Sequence, residues 1–329
     1  MHRSPLAAVD RRTGIVRHYK FAPVKSDFRA DVLKGLSRAQ KETPAKYLYD
    51  EKGSMLFDRI CTVKEYYPTR TELAILERHM PDIVRLTGRG ARIVEFGSGA
   101  SLKTRLLIDA VKPSLYIPID ISEPALIAAS DRLAQEFPWL SISTVCADFT
   151  RPMQLPAGAM AARSVVFFPG STIGNFQPME AVAFLRTARA HLPQDGLLLI
   201  GVDLEKDKSI LDAAYNDAAG VTAAFNLNLL ERINRELEGD FDLAHFQHKA
   251  FYDRDKRRIE MHLRSLRAQR VTVAGKAFNF RAAETILTEI SCKYSIGSFQ
   301  HLARTAGFRP EAAWTDPAGL FSVHAMVAV

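Results

Sequence analysis

The sequence predicts an α/β protein: a doubly wound parallel sheet carrying an additional α+β region. Three observations predict it. Five short apolar runs read as buried strands separated by helical crossovers: ARIVEF (91–96), SLYIPID (114–120), SISTVCADF (141–149), SVVFFPGS (164–171) and GLLLIGVDL (196–204). A glycine turn follows the first run and an aspartate closes each of the next two, at the edge where open α/β sheets bind ligands. After Leu204 the alternation gives way to long helical and hairpin patterns.

The elements follow in order. Residues 1–21 show no clear periodicity and read as a loosely held extension. DFRADVLKGLSRAQ (27–40) places Phe28, Val32, Leu33 and Leu36 at helical spacing, and Leu73, Ile75, Leu76 and Ile83 predict a second helix over 71–86. A helix with Leu102, Leu106, Leu107 and Val111 follows the glycine turn. Ser122 and Pro124 open the next one, as cap and first-turn residue. Val182, Phe184 and Leu185 mark the helix before the fifth strand. Residues 208–239 read as helical with Tyr215 early, and 249–273 as a hairpin turning near Asp253–Lys256. A helix from Phe299 to Ala306 ends at Gly307, and two strands around 312–316 and 321–329 close the chain.

Composition sets outer bounds. With 329 residues, 47% apolar and 25% charged, the chain suits one large domain or two smaller ones. This excludes a disulfide mini-protein, a collagen-like repeat and a wholly disordered chain. Cys61, Cys146 and Cys292 are odd in number and lack a Cys-x-x-Cys, so they read as reduced thiols. No apolar run reaches bilayer length and the N-terminus lacks a secretory apolar region, so a cytoplasmic protein with no membrane partner is expected. The net charge of +7 raises a nucleic-acid reading. Residues 1–46 hold 11 basic and 4 acidic side chains, however, which accounts for all of the excess. No nucleic-acid partner is expected of the balanced remainder.

VEFGSGAS (94–101) carries Gly97 and Gly99 of a dinucleotide fingerprint, but Leu102 replaces the third glycine. Without it, helix and strand cannot pack closely beneath a pyrophosphate, and S-adenosylmethionine (SAM), which has no phosphate, fits better. Asp120 then stands where it accepts hydrogen bonds from ribose hydroxyls, and Asp148 from the adenine amine with Phe149 beside the ring. The competing reading makes both aspartates helix caps. The fourth strand ends in FFPGSTIGN (167–175), not in the Asn/Asp-Pro-Pro-aromatic element of nucleobase methylases. Asn175 offers two donors and an acceptor, enough to grip an amino acid's carboxylate and amine. Glu289 and Ser291, two apart in ILTEISCKY, share one face of an extended strand and together suit both imidazole nitrogens. They serve equally as a solvated pair on that face. His245 and His248 lack a third ligand at suitable spacing and read as surface histidines, so no metal is expected.

The chain resembles the L-histidine Nα-methyltransferases of ergothioneine biosynthesis. The matching stretches are YLYDEKGSMLFDRI (47–60), EYYPTRTE (65–72), VEFGSGASLKTRLL (94–107), FFPGSTIGN, AYNDAAGVTAAFN (214–226), RIEMHLR (258–264) and LTEISCKY (287–294). The resemblance implies a class I (Rossmann-like) methyltransferase sheet and Nα-trimethylation of L-histidine to hercynine with SAM. It implies cofactor contacts at Gly97, Ser98, Lys103, Asp120, Asp148 and Phe149, and a carboxylate grip by Asn175 and Tyr215. Tyr49, Phe57, Tyr66 and Gly170 would surround the amine, with Tyr49 and Tyr66 nearest the chemistry. Glu289, Ser291 and Met261 would hold the imidazole. Were Tyr66 and Tyr67 in a strand, only one would face the ligand, and the family pattern selects Tyr66. The expected organisation is a basic extension (1–21), the N-terminal part of a substrate-binding region (22–72), a SAM-binding core (73–204), an inserted substrate-binding region (205–293) and closing strands (294–329). A monomer is expected. The rivals are a same-family enzyme for another amino acid or amine, a nucleic-acid-binding module, and a non-catalytic SAM binder.

Overall fold

The computed structural model describes residues 7–10, 15–20, 28–98, 102–149, 153, 155, 156 and 163–329. Its first elements are β1 (Ala7–Asp10), β2 (Ile15–Lys20), α1 (Phe28–Leu36), β3 (Lys41–Glu42), α2 (Glu51–Ile60) and α3 (Tyr67–Thr87). Strands and helices then alternate through β4 (Arg92–Phe96), α4 (Leu102–Val111), β5 (Leu115–Asp120), α5 (Glu123–Glu136), β6 (Ile142–Cys146), β7 (Ser164–Phe168), α6 (Pro178–His191) and β8 (Leu197–Asp203). The next stretch contains α7 (Lys208–Ala214), α8 (Val221–Leu237), β9 (Phe246–Asp253), β10 (Arg258–Ser265), β11 (Gln269–Val273), β12 (Lys276–Phe280) and β13 (Thr285–Cys292). It is followed by α9 (Ile296–Thr305), β14 (Phe308–Thr315) and β15 (Phe321–Ala328).

The main sheet has nine strands in the order β1-β2-β6-β5-β4-β7-β8-β15-β14. From β2 to β8 all pairings are parallel, and β15 runs antiparallel between β8 and β14. The order reverses beside β4, where β5 lies on one side and β7 on the other; this switch point opens the crevice that binds ligands. Both faces are covered, which is why the strands read as continuous apolar runs. Val94, Phe96, Phe168 and Leu198 enter one core layer, and Ile93, Phe167, Leu197 and Leu199 the other. The expected α/β class I methyltransferase architecture is borne out.

A second sheet, in the order β3-β13-β10-β9, packs on α8, and α2 packs on that helix. Its core combines Val32, Leu48 and Leu56 from the N-terminal segment with Phe225, Leu229, Met261 and Ile286 from the later one. The chain therefore builds this layer from two pieces that flank the parallel core in sequence.

Three expectations need correction. Residues 7–10 and 15–20, read as part of a loose extension, form β1 and β2, and β2 pairs in parallel with β6 from Val16 opposite Ile142 onward. The open edge of β6 supplies the unpaired amides and carbonyls that a short alternating segment like IVRHYK meets only in three dimensions. The helix expected over 208–239 is two helices, because Asp217 accepts hydrogen bonds from Val221 N and Thr222 N (2.8 Å each) and Gly220 adopts φ 67°. The cap restarts the helix and leaves Tyr215 at the end of α7. The hairpin expected over 249–273 is β9–β10 alone, while β11 leaves it to pair with β12 as a separate ribbon.

Helix α3 crosses the main sheet with Glu72 buried against it. Gly201 of β8 makes room: a Cβ there would stand 2.0 Å from Glu72 Oε1. Gly201→Ala is expected to destabilise the protein by about 1–3 kcal/mol through overpacking, measurable as a lowered midpoint in urea unfolding with an unchanged slope.

Candidate active site

The carboxyl ends of β4, β5 and β6 form one wall of the site. Gly97 turns with φ 69°, its amide donating to Ile119 O at 2.9 Å, and a Cβ there would meet the Phe149 ring at 3.6 Å. Behind the turn, buried Glu95 accepts from Tyr116 Oη (2.5 Å) and from Thr104 Oγ1 (2.9 and 3.0 Å), which ties β4 to β5 and to the start of α4. Burial pushes the Glu95 carboxyl up to about 7. Burial likewise pushes Asp120 up to about 6, although Asp120 Oδ1 accepts from Ser122 N at 2.9 Å. The cap residue of α5 is Ser122 rather than Asp120, which instead accepts from the amide of that cap residue. Asp148 lies just past β6, with Lys46 Nζ 3.4 Å from its Oδ2. Phe149 joins an aromatic cluster with Phe96 (5.8 Å), Phe168 (5.9 Å) and Phe184 (6.0 Å). Ser98 is buried at the same edge; Gly99 of the predicted turn lies outside the described residues.

The loop after β7 forms the second wall. Gly170 and Ser171 take φ values of 82° and 57°, folding the chain back sharply, and Ser171 Oγ accepts from Asp203 N at 2.9 Å. The Gly170 amide donates to the Glu72 carboxylate at 2.9 and 3.1 Å, and Lys103 Nζ donates to Glu72 Oε2 at 2.6 Å. One buried carboxylate thereby fixes an expected cofactor residue and the acceptor loop together. Gly174 presses on β13, where a Cβ would stand 2.8 Å from Cys292 O and 3.2 Å from Ser291 Oγ. Asn175 is next in the chain, and its side-chain amide forms no hydrogen bond to any described residue.

The third wall is aromatic. Tyr49 packs edge-on against Phe57 (5.5 Å) and Phe225 (5.3 Å); Phe57 meets Tyr66 at 6.3 Å, and Tyr66 meets Tyr215 at 6.2 Å. Tyr66 and Tyr67 stand at the start of α3, not in a strand, so the strand-parity argument does not apply. They diverge all the same: Tyr66 joins the aromatic wall, whereas Tyr67 Oη donates to Asp203 at 2.8 and 2.9 Å. Opposite the rings lies β13. Met261 of β10 pairs directly with Glu289, and Ile259 with Ser291, so Met261, Glu289 and Ser291 share one face.

Beneath that face lies a buried polar cluster unforeseen from the sequence. Asp203 Oδ2 meets Lys293 Nζ at 2.6 Å and Oδ1 meets Lys206 Nζ at 2.6 Å. Lys293 Nζ also donates to Ser291 Oγ (2.8 Å) and Tyr215 Oη (3.2 Å). Burial raises the Asp203 pKa, but the two ammonium groups outweigh it and hold the carboxylate below its ordinary range. Burial pulls Lys206 down to about 8. It pushes Glu289 up to about 7, against the pull of Lys293, and Glu289 Oε2 is buried with no hydrogen-bond partner among the described residues. Burial, with Glu289 and neighbouring phenols, raises Tyr49 and Tyr66 far enough to keep both protonated at neutral pH.

Phe225, Glu72, Asp203, Lys206 and Lys293 complete the site beyond the sequence-predicted residues. A lone glutamate in the apolar stripe of α3 was the one available signal for Glu72. His248, expected at the surface, is partly buried: its Nε2 lies 2.8 Å from Tyr215 O and its Nδ1 3.0 Å from Asn226 Nδ2. Its ring therefore steadies the backbone of Tyr215. His245 meets Asp242 at 2.7 Å.

The family described as "Histidine-specific methyltransferase, SAM-dependent" matches residues 28–328. The chain belongs to that family. It is 44% identical over 306 residues to a histidine N-alpha-methyltransferase of Mycolicibacterium smegmatis, covering 91% of this chain and 94% of that one. It is 40% identical to the histidine N-alpha-methyltransferase of Mycobacterium tuberculosis, covering 90% and 93%. Ergothioneine biosynthesis protein 1 of Schizosaccharomyces pombe is 29% identical over 84% of this chain and 37% of that protein. The resemblance read from the motifs is borne out, and the family requires SAM.

The orphaned Glu289 carboxyl makes a thermodynamic prediction. Its pKa in the fold, about 7, exceeds the ordinary 4.5, so its favourable contribution is complete below about pH 4.5 and is lost as pH rises through 7. Glu289→Gln is therefore expected to raise the melting temperature of the ligand-free protein at pH 8 by several degrees and to leave it unchanged at pH 4, by differential scanning calorimetry.

Proposed function

We propose that this protein transfers methyl groups from SAM to the α-amine of L-histidine, three times in succession, forming hercynine in the first step of ergothioneine biosynthesis. The observation that carries the substrate reading is Glu289: a buried carboxylate oxygen with no partner, on one strand face with Ser291 and directly opposite Met261. Leaving such an oxygen unpaired is costly, and an imidazole N–H answers it while Ser291 serves the other ring nitrogen. Asn175 and Tyr215 would take the substrate carboxylate, which leaves the α-amine between the phenols of Tyr49 and Tyr66.

The residues along the strand ends fit SAM. Asp120, kept from full solvation at the end of β5, suits a ribose diol, and Phe149 beside Gly97 suits the adenine face. Asp148 would accept from the adenine amine, Gly97 and Ser98 would line the approach, and Lys103, poised by Glu72, would meet the cofactor's carboxylate. When bound, SAM supplies a methyl group on a sulfonium; the protein's task is to aim the amine lone pair at it. Tyr49 and Tyr66 hold their own protons, so they orient the amine and pass the proton it sheds on to water. Their rings, with Phe57 and Gly170, shape a pocket whose π faces tolerate the growing cation.

Purified protein incubated with histidine and SAM is expected to give mass gains of one, two and three methyl groups. Gains on another amino acid and none on histidine overturn the substrate reading and leave methyl transfer intact. Glu289→Ala is expected to raise KM for histidine by about 10²-fold or more, with SAM affinity by calorimetry within about twofold, since a site built to bond a polar ring discriminates through that bond. Tyr49→Phe and Tyr66→Phe are each expected to lower kcat by about tenfold or more, as for lost proton handling, read in single-turnover assays.

A further inference from the structure

Among buried charges of the site, Lys293 has no part in the reading above, yet it touches two residues that do. Its ammonium is completely enclosed and makes three polar contacts: Asp203 Oδ2 at 2.6 Å, Ser291 Oγ at 2.8 Å and Tyr215 Oη at 3.2 Å. Lys293 lies two residues beyond Ser291, on the same face of the extended chain.

We propose that Lys293 is the positioning residue of the amino-acid pocket, holding the Ser291 and Tyr215 hydroxyls as donors toward the substrate's ring nitrogen and carboxylate. The inference rests on the histidine reading and extends it. An ammonium is donor-only, so each hydroxyl must receive its hydrogen bond on an oxygen lone pair. The proton of each hydroxyl is thus kept for a partner other than Lys293; Ser291 and Tyr215 also reach each other, so a bound substrate competes with that contact for the protons. At Ser291 this demands an acceptor, the unprotonated ring nitrogen, while Glu289 demands a donor. An imidazole offers both; an indole offers a donor only, and a phenyl ring neither. At Tyr215 the same polarisation favours the anionic end of the substrate.

The charge state of Lys293 agrees. Asp203 faces two ammonium groups, from Lys206 and Lys293, and Glu289 and Asp316 are further carboxylates acting on these lysines. Burial pulls Lys293 toward neutrality, but the Asp203 carboxylate more than offsets this and keeps it an ammonium. A neutral amine would free Ser291 and Tyr215 to turn their protons inward.

A double-mutant cycle with the full-length protein tests the role. Lys293→Met keeps the stem and leaves Asp203 paired with Lys206 and Tyr67. It is expected to raise KM for histidine by about tenfold or more, with SAM affinity within about twofold. Ser291→Ala is expected to raise KM comparably in the native background and to add little in the Lys293→Met background. Equal cost of Ser291→Ala in both backgrounds, or an unchanged KM in Lys293→Met, overturns the proposal. If Lys293→Met does not fold, the cycle is run in an Asp203→Asn background, where no carboxylate is left uncompensated, with the same two criteria. If the native protein methylates a different amino acid, the histidine reading fails separately, and the cycle on that substrate still decides the role of Lys293.

Discussion

The site depends on one buried carboxylate. Asp203 ends β8, and it receives Tyr67 from the start of α3, Lys206 from the segment after β8 and Lys293 from just past β13. Tyr67 belongs to the core of the second layer, whereas Val202 beside Asp203 and Cys292 and Tyr294 beside Lys293 belong to a core of the main sheet. Burying an ion pair gives little net stability, since desolvation consumes most of the Coulombic gain. Its effect here is geometric: an arrangement of the second sheet that withdrew Lys293 would take one of its two ammonium partners from a buried carboxylate. Asp203 thereby sets where the recognition strand meets the parallel core.

Glu72 does the corresponding work on the cofactor side. Its carboxylate takes Lys103 from α4 and the Gly170 amide from the acceptor loop, in a notch that Gly201 leaves open. Tyr67 and Glu72 both belong to α3, five residues apart, so one helix references both buried carboxylate joints. In-line transfer loses rate steeply with small errors in alignment. A single rigid element that fixes the donor side and the acceptor side is one physical answer to that demand.

The alternating core was legible because a parallel sheet covered on both faces writes itself as repeated apolar runs, and because its ligand edge places glycines and aspartates at strand ends. The aromatic wall and the Glu289–Ser291 pair were legible as motifs. Asp203 and Lys293 were not: each is a single charged residue at the end of an apolar strand, where a solvated side chain is the ordinary expectation. Only the meeting of β8 with β13 turns them into a pair. The strand at 15–20 escaped for a related reason, since its partner edge on β6 exists only after folding. The break between α7 and α8 was readable in retrospect, in an Asp217 cap before Gly220.

Glu289 shows how function constrains stability in this fold. Its surroundings raise its pKa to about 7, so near neutrality the ligand-free pocket is divided between a protonated and an ionised carboxyl. Neither form is satisfied by the protein alone. On the proposed reading a substrate ring N–H would stabilise the ionised form, so that binding and deprotonation of Glu289 would be coupled, and the interaction would strengthen in the low-dielectric chamber where Tyr49 and Tyr66 stay neutral. A glutamine there would remove the burial penalty together with the charge that makes the hydrogen bond strong. On that reading, a residue satisfied by the protein itself would bind an imidazole less well than this carboxylate.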